Sequence, residues 1–175
     1  MAFLNVEIKA RCSNTERIKQ VLLDQNARYV GIDYQVDTYF NVNNGRMKLR
    51  EGNIENALIF YQRDNASGPK SSNVILYKSD PDSSLKSLLE KSCGILCVVD
   101  KTRKIFFIEN IKFHIDEVKE LGSFVEIEAI DEFNNIGIEK LQQQTENYIK
   151  LFNIQKNELV AVSYSDLLLK TKSEL

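Results

Sequence analysis

The chain has 175 residues, 43% of them apolar and 27% charged, with 23 Lys and Arg against 25 Asp and Glu. That length suits one domain, residues 1–175, with a single sizeable core. A net charge of −2 leaves no basic footprint for nucleic acid, and no window approaches the ~18 apolar residues of a membrane span, so a cytoplasmic protein engaging neither is expected.

The stretch FLNVEIKAR, Phe3 to Arg11, alternates as a strand. Phe3, Asn5, Glu7, Lys9 and Arg11 share one face, and Leu4, Val6, Ile8 and Ala10 the other. A first helix is predicted from about Asn14 to Gln25, with Ser13 and Glu16 as a capping box and Ile18, Val21 and Leu22 as its apolar stripe. DYQVDTYFNV and RMKLRE then alternate around the turn residues Asn43, Asn44 and Gly45, which predicts a hairpin. ALIFYQR and NVILYK form another strand pair across DNASGPKSS, a stretch whose Gly, Pro, Asn and Ser content predicts a mobile loop carrying Lys70.

Asp80 can cap a helix running through SSLKSLLEKSC. CVVDKTRKIFFI, IKFHIDEV and SFVEIEAI return to strand alternation, and helices are predicted at about 136–152 and 165–169. Cys12, Cys93 and Cys97 lack paired C-x-x-C spacing, and the single His114 cannot complete a zinc site. About eight strands in hairpins with three or four helices give an α+β protein, whose strands either lie open under the helices or curl into a barrel.

Nearly every strand opposes a charged face to an apolar one. Solvent-facing charge explains this for a single strand. Across the set, however, Lys9, Arg11, Lys48, Arg50, Arg63, Lys101, Arg103 and Lys112 outnumber Glu7, Asp37, Asp116, Glu126 and Glu128, although the whole chain is net acidic. A barrel closed with these faces inward would be a polar tunnel. Unpaired, its like charges would cost several kcal/mol each, which a polyanion would relieve. Arginine and lysine suit phosphate oxygens, and carboxylates beside a phosphate suit Mg²⁺ or Mn²⁺. The residues thus ask for a metal-bound oligophosphate.

VEIKAR resembles the ExExK signature of the CYTH superfamily of triphosphate tunnel enzymes, and the likeness runs along nearly the whole chain. It is most similar to the class IV adenylyl cyclase branch, through VDTYF at 36–40, MKLRE at 47–51, YQRDNASGPKSS at 61–72, KFHIDEVKELGSFVEIE at 112–128 and SYSDLL at 163–168. The resemblance implies an eight-stranded antiparallel barrel, closed or nearly closed, with flanking helices. It implies a metal-dependent enzyme converting ATP to cyclic AMP and pyrophosphate, or alternatively hydrolysing inorganic tripolyphosphate or thiamine triphosphate, or binding a nucleotide or polyphosphate without turnover.

By matching position it implies Glu7, Glu126 and Glu128 as ligands of Mg²⁺ or Mn²⁺. It implies Lys9, Arg11, Lys48, Arg50, Arg63, Lys70, Lys101, Arg103 and Lys112 as contacts to the triphosphate, with Lys9, Arg63 and Lys112 as the catalytic candidates. His114 and Asp116 would order the tunnel wall, while Phe107, Phe113 and Tyr164 are loose candidates for an adenine pocket. A homodimer is an open expectation. The sequence departs from the pattern at Asn5, where the signature has its first glutamate, and at Gln62, where some cyclases have lysine.

Overall fold

In a computed structural model, residues 2–63, 65 and 68–173 are described. The chain runs β1 (Ala2–Arg11), α1 (Thr15–Asp24), β2 (Arg28–Phe40), β3 (Arg46–Glu51), β4 (Ala57–Gln62), β5 (Lys70–Lys78) and α2 (Leu85–Cys93). It continues through β6 (Ile95–Ile108), β7 (Ile111–Val118), β8 (Gly122–Asp131), α3 (Ile138–Leu151), a 3-10 turn at Lys156–Glu158 and α4 (Tyr164–Ser173).

The strands close into an antiparallel barrel in the order β1, β5, β4, β3, β2, β6, β7, β8. Closure abolishes the unpaired sheet edges, and period two then gives each strand one face toward the interior and one toward the helices. The outward apolar faces of β1, β7 and β8 meet α1 and α3, packing Val6, Ile8, Phe113, Ile127, Ile18, Leu22 and Leu141 into one core. A smaller core seats Leu89 of α2 on Phe40 and Leu49. A third joins α4 to one end of the barrel, where Tyr164 and Leu168 meet Tyr39, Val99 and Phe124.

Local departures have identifiable causes. The cap of α1 is Asn14, whose side chain accepts the Arg17 amide, in place of the Ser13 box. Ser84, not Asp80, stands before α2. β2 begins at Arg28 because it pairs with the long β6 through Phe107. Lys70, expected in a mobile loop, is instead the first residue of β5 and pairs with Glu7, because β1 offers a neighbour that extends the strand. Asp64, Ala66 and Ser67 of that predicted loop lie outside the described residues.

Candidate active site

β1 and β8 run side by side in a register that opposes Glu7 to Glu128 and Lys9 to Glu126. The register of β7 with β8 sets His114 opposite Glu126 and Lys112 opposite Glu128. The alternation of acid and base along β1 is therefore matched by the strand beside it, and this charged face looks into the barrel.

Ion pairs offset the desolvation of the interior. Arg103 holds Asp116 through two hydrogen bonds, of 2.7 and 2.5 Å, and reaches Glu126 at 2.6 Å. Lys9 lies 3.1 Å from the other oxygen of Glu126. Burial opposes ionisation of Glu126, but Lys9, Arg103 and His114 outweigh it and hold the carboxyl well below the usual range. A second network centres on Asp37, which accepts from Lys48 at 2.8 Å, Arg50 at 2.9 Å and Lys101 at 2.6 Å. Burial again works against that carboxylate, and Arg50, Lys101 and Lys48 keep it ionised. Such pairing is required, since an uncompensated buried charge costs several kcal/mol.

The interior holds a cavity of about 550 Å³, within the roughly 300–1,000 Å³ of small-molecule sites. One part of its wall is charged, from Glu7 and Lys9 through Lys48, Arg50, Arg63, Arg103 and Lys112 to Glu126 and Glu128. Tyr164 closes the end beneath α4. Its hydroxyl donates to Asp116 at 2.8 Å, its ring covers the Lys9 ammonium at 3.9 Å, and it stacks edge-on with Phe124. At the other end, Glu55 in the β3–β4 connection reaches back to Arg50 at 2.9 Å and to Lys112.

The CYTH domain is matched over residues 4–164, nearly the whole chain. The chain belongs to the CYTH domain family. A Methanocaldococcus jannaschii relative, MJ0240, carries an adenylate cyclase name and is 24% identical over 180 residues, spanning 94% of this chain and 98% of its own. The solved Pyrococcus horikoshii protein PH1012 shares the fold with a TM-score of 0.76 at 20% identity, covering 93% of this chain and 98% of its own. The Hippeastrum protein HpAC1 is described as having a dominant triphosphatase activity. It aligns with a TM-score of 0.61 at 12% identity over 99% of this chain and 97% of its own.

Against this CYTH frame, nine of the implied residues line the cavity and three do not. Arg11 has the inward parity but lies beyond the Phe124 and Tyr164 floor, donating to the Leu121 carbonyl at 3.1 Å with its guanidinium over the Phe124 ring. Lys70 turns its ammonium onto the carbonyls of Val160 and Ala161. Lys101 is spent on Asp37, and burial pushes its amine down to about 7 in spite of that partner. Of the three loose adenine candidates, Phe107 and Tyr164 line the cavity, whereas Phe113 is on the outer face, packed on Tyr148 and Phe152.

Glu55 is the residue that strand alternation misses. It sits in a connection, and the hint in the sequence is that this connection follows directly on the basic strand β3.

The carboxylates fit a hard cation in part. Among the described residues, ligand atoms of His114, Glu126 and Glu128 lie within 4.8 Å of one another, a group that includes His114 and leaves out Glu7. Glu7 is instead ion-paired with Arg63. The buried Nε2 of His114 has no hydrogen-bond partner among the described residues, and burial lowers the imidazole so that it is neutral near pH 7. Two carboxylate side chains beside a cationic wall match the oxygen-rich donor set that Mg²⁺ or Mn²⁺ takes next to a phosphate.

Proposed function

We propose that the chain is a divalent-metal-dependent enzyme acting on a triphosphate held in the barrel, with conversion of ATP to cyclic AMP and pyrophosphate as its reaction. The observation that carries this reading is the concentration of Lys9, Lys48, Arg50, Arg63, Arg103 and Lys112 around one cavity of a net acidic chain. These cations, each paired with a carboxylate but gathered on one space of that size, suit a polyanion whose phosphates can take over those pairs.

In this reading, arginine forks and lysine ammoniums bind the phosphate oxygens and spread the charge that builds on the leaving pyrophosphate. Lys9, Arg63 and Lys112 hold the reacting phosphorus in line with its nucleophile, which is the ribose 3′ oxygen. Glu126 and Glu128, with His114 beside them, would hold Mg²⁺ or Mn²⁺, which supplies charge neutralisation at the phosphoryl oxygens. Glu126, fixed by Lys9 and Arg103, is already ionised for that role.

Hydrolysis of the terminal phosphate is the second reading, favoured by the triphosphatase activity described for HpAC1. The test is incubation of purified protein with Mg²⁺ or Mn²⁺ and, separately, ATP, inorganic tripolyphosphate or thiamine triphosphate, with products resolved by chromatography. Cyclic AMP with pyrophosphate is expected. Orthophosphate without cyclic nucleotide would make the protein a hydrolase. Absence of any product, with thermal stabilisation by the ligands, would make it a binder.

A further inference from the structure

The barrel interior is divided into two unlike halves. Along β4 from Ala57 to Tyr61, and along β5 from Ser72 to Leu76, no inward residue is charged. Cross-strand pairing sets Ile59 beside Leu76 and Tyr61 beside Val74, and Phe3 of β1 faces Val74. Over this span the wall offers a phosphate no charge, only the hydroxyls of Tyr61 and Ser72, with Lys78 at its far edge, so a phosphate pressed against it would lose hydration without charge compensation.

At its border lie Asn5 and Ser72, a cross-strand pair lining the same cavity, with Ile130 on the other side of Asn5. Their relative exposures are 4% and 1%, and neither the Asn5 side-chain oxygen nor the Ser72 hydroxyl has a hydrogen-bond partner among the described residues. Two such orphans side by side are a cost to the empty protein. Both are neutral, so neither competes for the cations opposite.

We propose that Asn5 and Ser72, with the apolar wall of Phe3, Ile59, Val74 and Leu76, form a subsite for the organic group of a triphosphate ester, a group that carries a hydroxyl or amine and an apolar face. This rests on the triphosphate reading of the charged half and makes the ligand an ester rather than bare inorganic tripolyphosphate. The phosphate chain lies toward Lys9, Arg103 and Lys112. The organic group covers the aliphatic wall, and its hydroxyl or amine satisfies the two orphaned oxygens. Asn5, where the family signature has a glutamate, thereby becomes a specificity residue.

The test is melting-temperature titration in Mg²⁺ with ATP, thiamine triphosphate and inorganic tripolyphosphate, each in excess, on the unmodified protein and on Asn5→Ala and Ser72→Ala. At least one ester is expected to bind about tenfold more tightly than tripolyphosphate, and each substitution to reduce ester affinity about fivefold while leaving tripolyphosphate unchanged. Retained tripolyphosphate binding shows that a variant is folded, and Ser72→Ala, the smaller change, decides the matter if Asn5→Ala does not fold. The subsite is overturned if tripolyphosphate binds at least as tightly as both esters, or if the substitutions weaken all three ligands alike. If no ligand raises the melting temperature, the triphosphate reading itself fails.

Discussion

Tyr164 of α4 and Asp116 of β7 are joined by a 2.8 Å hydrogen bond across the closed end of the barrel, the tyrosine hydroxyl donating. The bond ties the last helix to the Arg103 network and sets the depth of the cavity. Tyr164→Phe removes one donor but leaves Asp116 its two bonds from Arg103, so it should cost about 1 kcal/mol, or roughly 2–4 °C in melting temperature. Tyr164→Ala also deletes the ring from the floor and should cost about 3–5 kcal/mol. Thermal denaturation of both variants checks the ratio.

Glu55 occupies Lys112 and Arg50, two of the cations that a triphosphate would need. A bound phosphate must displace it. Glu55→Gln removes that competition at a partly exposed ion pair worth about 1 kcal/mol, so triphosphate affinity should rise about fivefold. Calorimetric titration with tripolyphosphate is the measurement, and an unchanged or weaker affinity would show that Glu55 does not stand in the ligand's way.

Lys70 is predicted to make stability depend on pH in a particular direction. Its ammonium is buried beneath Val160 and Ala161, and burial, reinforced by Arg63, Lys9 and Arg46 and opposed by Glu126, pushes it down to about 7. The unfolded chain therefore binds more protons than the folded one between about pH 7 and the ordinary lysine range, and over that window this residue makes stability rise with pH. Lys70→Met removes the effect. The melting temperature of the variant relative to the natural protein should be higher at pH 6 than at pH 9.5, and equal differences at the two pH values would show that Lys70 is not perturbed.

Glu128 makes no close ion pair with a lysine or arginine among the described residues, unlike Glu126, so it can be neutralised without stripping a buried cation of its partner. Glu128→Gln should change stability by no more than about 0.5 kcal/mol while lowering turnover more than about tenfold and raising the Mg²⁺ or Mn²⁺ concentration needed for half-maximal rate. Removing metal with EDTA should abolish turnover in both proteins. Full activity in the variant would take Glu128 out of the metal site.

Period-two alternation makes legible which side chains share a strand face, whereas the polar interior follows only from closure of the barrel, which the CYTH resemblance implied and alternation left open. Depth is another matter. Arg11 and Lys9 share a face, yet Phe124 and Tyr164 come between them, and no local pattern shows that a distant helix plugs the barrel at that level. Lys70 was obscured for a different reason. Gly68 and Pro69 read as loop, while the strand that begins at Lys70 is imposed by β1, a long-range pairing that overrides local turn preference. The compensation of charge was only partly legible. Asp37 has the right parity, but its capture of Lys48, Arg50 and Lys101 depends on three strands converging, and Glu55 arrives from a connection outside any alternation.

Because β1 is bonded on one edge to β5 and on the other to β8, and is made before either, it has no second neighbour until the chain has been made through Asp131. Pairing at such sequence separation is slow, because the loop-closure entropy is lost before the contacts that offset it can form. During that interval both outer strands of the unfinished sheet are open templates for other chains. Until then Lys9 also remains without Glu126, so the ligand site is complete only once β8 has paired with β1. A triphosphate that binds the finished barrel would therefore act as a clasp on the β1–β8 seam, slowing its reopening.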